Sequence, residues 1–169
     1  MIIKTKDFIL RPFRKTDLIE YHNSRNDPII ARNMYHGIYP LSLEQAKIEL
    51  NNFINDKKDC EKFIIEINKK LAGAIYFHEI SKNHKARIGY WLRKEYRNKG
   101  IGTKALITVT DYGFKKYKLK RITANVVTFN KPSIGALEKA GFKLEGILKK
   151  NRYKNKKYYD DFLYAKIKW

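Results

Sequence analysis

The chain has 169 residues, 43% of them hydrophobic and 32% charged, so it is long enough to bury a core without metal ions or disulfides. Its formal net charge is +20, of which residues 1–92 carry +5 and residues 93–169 carry +15, and its one cysteine, Cys60, excludes a disulfide framework and a cysteine-based zinc site. The longest apolar run spans seven residues and no secretory signal is recognised, so we expect a cytoplasmic protein with no membrane span.

Hydrophobic periodicity and turn signals predict the order of strands and helices. Ser42 and Gln45 form a capping box that begins one helix, Asn26-Asp27-Pro28 predicts a break, and Gly141 stands where a helix ends in a left-handed residue. The predicted elements are a strand over 2–10, helices over 18–23 and 42–54, strands over 62–68, 71–80 and 86–92, a helix from Gly100, a strand over 120–127, a helix over 132–140, and strands over 142–149 and 158–168. This order predicts one α/β domain over 1–169, with a mixed, mostly antiparallel sheet of about seven strands and about four helices.

The turn between the strand over 86–92 and the following helix carries the clearest chemical signal. Arg97 and Lys99 lead into Gly100 and Gly102, where the helix begins. The first N–H groups of a helix lack intrahelical partners and carry the positive end of its dipole, so phosphates bind there, and glycine lets the backbone approach the anion. A tight turn with incidental basic residues would contain the same glycines, but the strand–turn–helix order favours an anion site. The spacing excludes a P-loop, and a dinucleotide fingerprint lacks the acidic residue expected about 20 positions later.

Four segments can be compared with known families. Arg97, Gly100 and Gly102 form R-x-x-G-x-[GA], and residues 130–142 form N-x-x-[AS]…GF. The chain also opens with Leu10-Arg11-Pro12 and closes on a Glu-Gly…Asn…Asp…Tyr pattern over residues 145–164. In this order the segments resemble the GNAT superfamily of acyl-CoA-dependent N-acyltransferases. The segments that open and close the chain resemble its Rim-type branch, which acetylates protein N-termini, especially on ribosomal proteins.

The resemblance implies a sheet that splays apart between its fourth and fifth strands, residues 86–92 and 120–127. The pantetheine arm of acetyl-CoA would lie in that gap, and an amine would attack the thioester directly, without a covalent enzyme intermediate. The positive charge of the second part of the chain would attract the phosphates of CoA. The residues that the resemblance assigns to the cofactor are Leu92, Arg93, Arg97, Asn98, Lys99, Gly100, Ile101, Gly102, Thr103, Asn130 and Ser133.

Catalytic residues are less well defined. Many family members place a tyrosine that acts as the general acid seven residues after the motif asparagine, whereas this chain has Leu137 there. The Rim-type branch suggests Ser133 as the acid instead, although a hydroxyl at a helix start can also simply bond the backbone. For the base, Glu79 ranks first because it ends its strand, where sites often open. The other candidates are Glu66, His78 and His84.

The acceptor is expected to be a primary amine, either a protein N-terminus, on the ribosome or elsewhere, or a small molecule. Tyr35 and His36, between the two N-terminal helices, are candidates for contacting it. The four histidines have no metal-ligand spacing, so no metal is expected. The resemblance leaves a homodimer open.

A rival hypothesis is a basic module that binds nucleic acid or the ribosome on a catalytically degenerate scaffold of the same kind. The charge and the tyrosines interleaved with lysines over residues 153–164 favour it. A lysine-rich proteome explains the charge equally well, and aromatic residues that alternate in strands are more often ordinary packing. The ordered motifs therefore make an acetyl-CoA-dependent N-acetyltransferase the predicted function, with nucleic acid contacted only through non-specific charge.

Overall fold

The computed structural model describes residues 1–56 and 58–169. Its strands are β1 (Ile3–Lys4), β2 (Ile9–Arg11), β3 (Glu61–Ile67), β4 (Lys70–Ser81), β5 (Lys85–Leu92), β6 (Arg121–Val127), β7 (Lys143–Lys154) and β8 (Lys157–Ile167). Its α-helices are α1 (Leu18–Arg25), α2 (Pro28–Asn33), α3 (Leu43–Asn55), α4 (Ile101–Lys116) and α5 (Lys131–Lys139). The strands form one sheet in the order β1-β2-β3-β4-β5-β6-β8-β7, and of these neighbours only β5 and β6 run parallel. The predicted mixed, mostly antiparallel α/β fold is confirmed.

Side chains alternate between the two faces of the central strands and create two cores. On β4, Phe77 joins the core that α4 and α5 cover, whereas Tyr76 joins the core that α1, α2 and α3 cover. Trp91 of β5 also faces the N-terminal helices. Along the described residues, no helix combines the length and apolarity that a membrane span requires.

The parallel strands β5 and β6 pair over only three residues each, from Lys85 opposite Arg121 to Arg87 opposite Thr123. Beyond that point the strands diverge, because the rest of β6 pairs only with β8 on its other side. The result is a wedge whose walls are residues 88–92 and 124–127. It is the splay that the family resemblance implies.

The first predicted strand, residues 2–10, is wrong as one element. The structure contains two short antiparallel strands, β1 and β2, joined by a turn. Thr5 closes this turn because its backbone N–H donates to the Phe8 carbonyl at 3.0 Å and its hydroxyl oxygen accepts from the Phe8 N–H at 3.0 Å. The polar residues 4–7 therefore form a corner, and the sheet has eight strands among residues 1–56 and 58–169.

The predicted break at residues 26–28 is real, but it is also the start of helix α2. Asp27 caps this helix by accepting from the N–H groups of Ile29 and Ile30, and Pro28 occupies its first turn. Proline ends a preceding helix yet fits the first position of a new one, so one signal served both purposes. The part of the chain that the structure describes therefore contains five α-helices where four were predicted.

Candidate functional site

A cleft of about 1410 Å³ runs along the wedge between β5 and β6 and continues beneath α2. We call the part lined by the loop before α4 and the start of α5 the cofactor end. We call the part lined by α2, by Tyr35 and His36, and by Tyr76, His78 and Arg152 the acceptor end. The predicted site residues that line the cleft are Leu92, Arg97, Asn98, Gly100, Gly102, Thr103, Asn130, Ser133, Tyr35 and His36.

The cofactor end is formed by the start of α4. Gly100 caps this helix in the left-handed region, at φ +74°, and a Cβ built there would meet nothing within 4 Å. The first hydrogen bond of the helix runs from the N–H of Lys104 to the Gly100 carbonyl, at 3.0 Å. The preceding N–H groups of the helix therefore lack intrahelical partners at the positive end of the helix dipole, which suits a pyrophosphate.

Across the wedge, β5 and α5 meet through two hydroxyl groups. Ser133 lies in the first turn of α5, where its N–H donates to Asn130 Oδ1 at 3.4 Å. Burial raises the pKa of Tyr90 on β5, and the contact of its hydroxyl with Ser133 partly opposes this. Gly102 lies on the same side, since a Cβ there would be 3.0 Å from the Tyr90 ring. The wedge is therefore narrow near Tyr90 and polar where Ser133 faces it.

Arg97 joins the cofactor end to α2. Its Nε donates to the Leu92 carbonyl at 3.0 Å, and its Nη2 lies 2.5 Å from Asp27 Oδ2. Burial would raise the pKa of Asp27, but hydrogen bonds from Arg97 and from the α2 backbone outweigh burial and hold that pKa below its ordinary value. The motif arginine thus positions two segments 70 residues apart. The sequence did not identify Asp27 as a site residue, because Asp27 followed by Pro28 was interpreted only as a break.

Three of the predicted cofactor residues direct their side chains away from the cleft. Arg93 donates to the Leu71 carbonyl at 3.3 Å and to Glu95 at 3.4 Å. Lys99 is exposed to solvent, and Ile101 packs against the core beneath α4. These residues can contribute backbone groups or long-range charge there, which are the contributions that the resemblance implies for them.

The structure does not bring Glu79 into the cleft. Glu79 lies in a bulge of β4, at φ +53°, and forms an exposed ion pair with Arg87 at 2.5 Å. The preceding residue, His78, faces the cleft instead, because successive side chains of a strand point to opposite sides. Glu66 is held by Arg11 at 2.5 Å, and His84 lies exposed in the β4–β5 turn.

The wall of the acceptor end joins residues more than 100 positions apart. Tyr35 donates from its hydroxyl to the Asn151 carbonyl at 2.7 Å. Arg152, buried in β7, pairs with Asp161 of β8 at 2.6 Å and also donates to the Asn33 carbonyl at 2.6 Å. The β7–β8 hairpin therefore holds the segment that carries Tyr35 and His36. Arg152 falls within the closing pattern over residues 145–164, which gave it no role, and no local sequence signal indicated Asp161.

Cations outnumber carboxylates at the acceptor end. Its lining includes Arg25, Arg32, Lys62, Arg87 and Arg152 but only Glu49 and Asp56 as acids. Glu49 is 3.1 Å from Arg25 and Asp56 is 3.0 Å from Lys62, so both carboxylates are already engaged. Arg32 lies over the Phe129 ring at 4.6 Å. Arg87 and Arg152 are also paired, with Glu79 and Asp161, so Arg32 alone of these five cations has no carboxylate partner among the described residues.

Comparisons with known proteins agree with this geometry. The family model described as acetyltransferase (GNAT) domain matches residues 7–143. "Probable N-acetyltransferase YjcK" of Bacillus subtilis (strain 168) is 44% identical and covers 89% of this chain and 88% of its own. Spermidine N(1)-acetyltransferase of Escherichia coli (strain K12) is 28% identical over 88% of this chain and 80% of its own. The crystal structure of ribosomal-protein-S5-alanine acetyltransferase from Vibrio fischeri superposes with a TM-score of 0.84 at 26% identity, over 99% and 96% of the two chains.

Proposed function

The chain belongs to the GNAT acetyltransferase family and is an acetyl-CoA-dependent N-acetyltransferase, and from this premise we propose how its residues divide the work and which amine it takes. The observation that carries the proposal is the wedge between β5 and β6, which leads directly to the open N-terminus of α4. Acetyl-CoA supplies an activated acetyl thioester. The chain supplies its binding, its orientation and the proton transfers.

In this proposal the backbone of residues 98–103 holds the pyrophosphate, aided by the dipole of α4. The pantetheine arm lies in the wedge and pairs with residues 88–92 of β5, whose side facing β6 has no strand partner there. Arg97 fixes the turn through the Leu92 carbonyl. Asn130 holds the first turn of α5, so that Ser133 faces the sulfur.

Ser133 is the proposed donor of the proton that the departing sulfur takes up. Its contact with the Tyr90 hydroxyl supports this role, because a second hydroxyl can replace the lost proton. Leu137 is buried at the position where many relatives carry a tyrosine, and a leucine side chain has no proton to donate to the sulfur. Proximity of amine and thioester would provide much of the acceleration.

The proposed acceptor is an amine with a single positive charge, such as a peptide N-terminus or a small monoamine. Both carboxylates that line the acceptor end are already paired with cations of the chain, so a second ammonium group would find no partner there, which supports this choice over a polyamine. Tyr35 and His36 are the proposed acceptor contacts, since both line the cleft and their ring centroids lie 4.9 Å apart.

Calorimetric titration of acetyl-CoA, followed by thiol release with a panel of amines, tests these assignments. We expect micromolar binding that survives moderate salt, and faster turnover of an N-terminal peptide than of spermidine. Arg97→Ala should weaken binding about tenfold, whereas Arg121→Ala, which removes an arginine outside the cleft, should not. Equal turnover of spermidine and peptide would overturn the choice of acceptor.

A second candidate function, binding of single-stranded RNA, is favoured by one surface feature. Tyr153 and Tyr158 on the β7–β8 hairpin are 63% and 61% exposed, and their ring centroids lie 4.8 Å apart. Lys150 lies over Tyr158 at 5.6 Å. Exposed aromatics beside lysines provide stacking and charge for unpaired bases. Fluorescence anisotropy with oligouridylate would test this, because Tyr153→Ser with Tyr158→Ser should reduce binding at constant net charge. Unchanged binding would contradict a stacking site.

A further inference from the structure

His78 stands at the inner end of the wedge, on the side of the acceptor. It is half-buried on β4, lines the cleft and lies directly opposite Arg87 of β5. Arg87 is the last β5 residue that pairs with β6, so His78 marks the level at which the two strands separate. Its ring contacts Tyr76, whose centroid is 4.7 Å away, on the face covered by the N-terminal helices.

The neighbouring glycine lets the Tyr76 ring pack directly against the β5 backbone. Gly89 lies two residues beyond Arg87 and pairs with Tyr76. A Cβ at Gly89 would be 2.6 Å from the Tyr76 ring, so the ring occupies the place of a side chain. Diagonal cross-strand neighbours such as His78 and Gly89 are about 7–8 Å apart. The His78 imidazole, directly or through one water, can therefore reach a group that is bound against the β5 backbone at Gly89.

We propose that His78 is the general base that takes the proton from the acceptor ammonium. The proposal rests on the acetyl-transfer function above and adds a catalytic residue to it. Among the candidate bases considered from the sequence, His78 alone lines the cleft. It is also on the same face as the acceptor end.

The surroundings of His78 keep its imidazole neutral. Burial lowers its pKa most, and the cations Arg87 on β5 and Lys62 on β3 lower it further. Glu79 and Asp56 act in the opposite direction but do not outweigh these effects, so the pKa lies below its ordinary value. A neutral imidazole at pH 7 has a lone pair available to accept a proton.

In the proposed reaction the acetyl group passes from the sulfur of CoA to the nitrogen of the acceptor. His78 takes one proton from R–NH3+, and the freed nitrogen lone pair forms a bond to the acetyl carbonyl carbon. The carbon–sulfur bond breaks and its electron pair goes to sulfur. The second amine proton passes from nitrogen to water as the amide forms, and sulfur gains a proton from Ser133, which takes one back from water. The imidazolium then releases its proton to solvent. The products are the N-acetyl amine, CoA thiol and one proton.

The test compares His78→Gln with the matched variant His84→Gln, whose histidine is exposed outside the cleft. We expect His78→Gln to lower kcat/KM about 100-fold while acetyl-CoA affinity stays within twofold. The wild-type pH profile should bend at the His78 pKa, and the His78→Gln profile should keep only the slope due to acceptor deprotonation. The deficit should also shrink for amines of lower pKa, which a purely structural role would not produce.

A spectroscopic readout accompanies the kinetics. NMR titration of the histidine imidazoles, assigned with the two variants, should give His78 a pKa below 6.5, and acceptor addition should shift its resonance. His78→Phe keeps a ring against Tyr76 and should be as impaired as His78→Gln. If wild type binds acetyl-CoA but acetylates no amine, the proposed function fails. If wild type is active and both His78→Gln and His78→Phe match its rate and pH profile, only the assignment of the base fails.

Discussion

The two ends of the cleft are constructed differently. The cofactor end is mainly backbone, because a left-handed Gly100 opens the N-terminus of α4 and β5 presents an unpaired edge. The acceptor end is made of side chains, and its wall depends on the buried Arg152–Asp161 pair. Backbone sites depend on local conformation, whereas side-chain sites depend on contacts between distant segments. Changes at the two ends should therefore have separable effects on stability and binding.

The largest effect on stability is expected at the acceptor end. Asp161 is fully buried and accepts from Arg152 Nε at 2.6 Å and from Asn151 Nδ2 at 2.8 Å. Asp161→Ala leaves the Arg152 guanidinium buried without its partner, which should cost about 3–5 kcal/mol of unfolding free energy. Urea denaturation measures it. Asp160→Ala, which removes a half-buried neighbour paired with the exposed Lys149, should cost much less, and equal losses would contradict a special role for the buried pair.

The cofactor end should respond to backbone strain. Gly100→Ala places a side chain at φ +74°, so we expect a loss of about 1–2 kcal/mol in unfolding free energy. Gly100→Asn should lose less, because asparagine tolerates this region. The matched control is Gly135→Ala within α5, where a Cβ has open space and alanine should stabilise by about 0.5–1 kcal/mol. If Gly100→Ala were neutral, strain at this cap would be unimportant.

The link between the two ends should show a pH dependence. Asp27→Asn keeps a capping side chain on α2 but removes the charge that faces Arg97. The folded-state pKa of Asp27 lies below its ordinary value, so its carboxylate stabilises the fold at pH values above about 4 and this contribution is lost as pH falls through the folded pKa. We expect a difference on the order of 1 kcal/mol at pH 7 that disappears in acid.

Thermal denaturation of wild type and Asp27→Asn between pH 2 and pH 8 would measure that difference. Asp7→Asn removes the carboxylate of a more exposed pair with Lys104 and should leave stability at pH 7 nearly unchanged. A difference between wild type and Asp27→Asn that persisted undiminished in acid would show that charge is not its cause.

The smallest effect is expected from diffuse charge at the cofactor end. Lys131 lines the cleft at the start of α5 and forms no ion pair with another described residue. Lys131→Gln should raise the Kd of acetyl-CoA about two- to threefold at 0.15 M salt and leave it unchanged at 1 M, where screening is nearly complete. Lys47→Gln on the exposed surface of α3 is the control. A loss that persisted at 1 M salt would indicate direct contact instead.

Signals that act over a few residues predicted structure well. Gly141 follows α5 at φ +86°, as its position after the helix indicated, and Ser42 and Gln45 form the capping box that begins α3. The errors also have local causes. Asp27-Pro28 both ends α1 and begins α2, and the polar corner after Lys4 divides the first strand. In each case one short signal admitted two structures.

Side-chain direction on a strand is harder to predict from sequence. Glu79 and His78 are adjacent, and the choice between them depends on which face of β4 meets the cleft. That face is set by the packing of Tyr76 and Phe77 into opposite cores. Long-range partners such as Asp27 for Arg97 carry no sequence signal at all, because nothing near either residue specifies the other.

The sequence by itself determined the family, the α/β fold and the glycine turn at which α4 begins, since glycines, caps and periodicity act through the local backbone. Only the tertiary structure decided which side chains enter the acceptor end. Tyr35 meets Asn151, and Arg152 meets Asn33, because the sheet brings β7 beside α2 across more than 100 residues. The free energy of such contacts comes from burial and pairing in the folded chain, and the local sequence around each partner does not contain it.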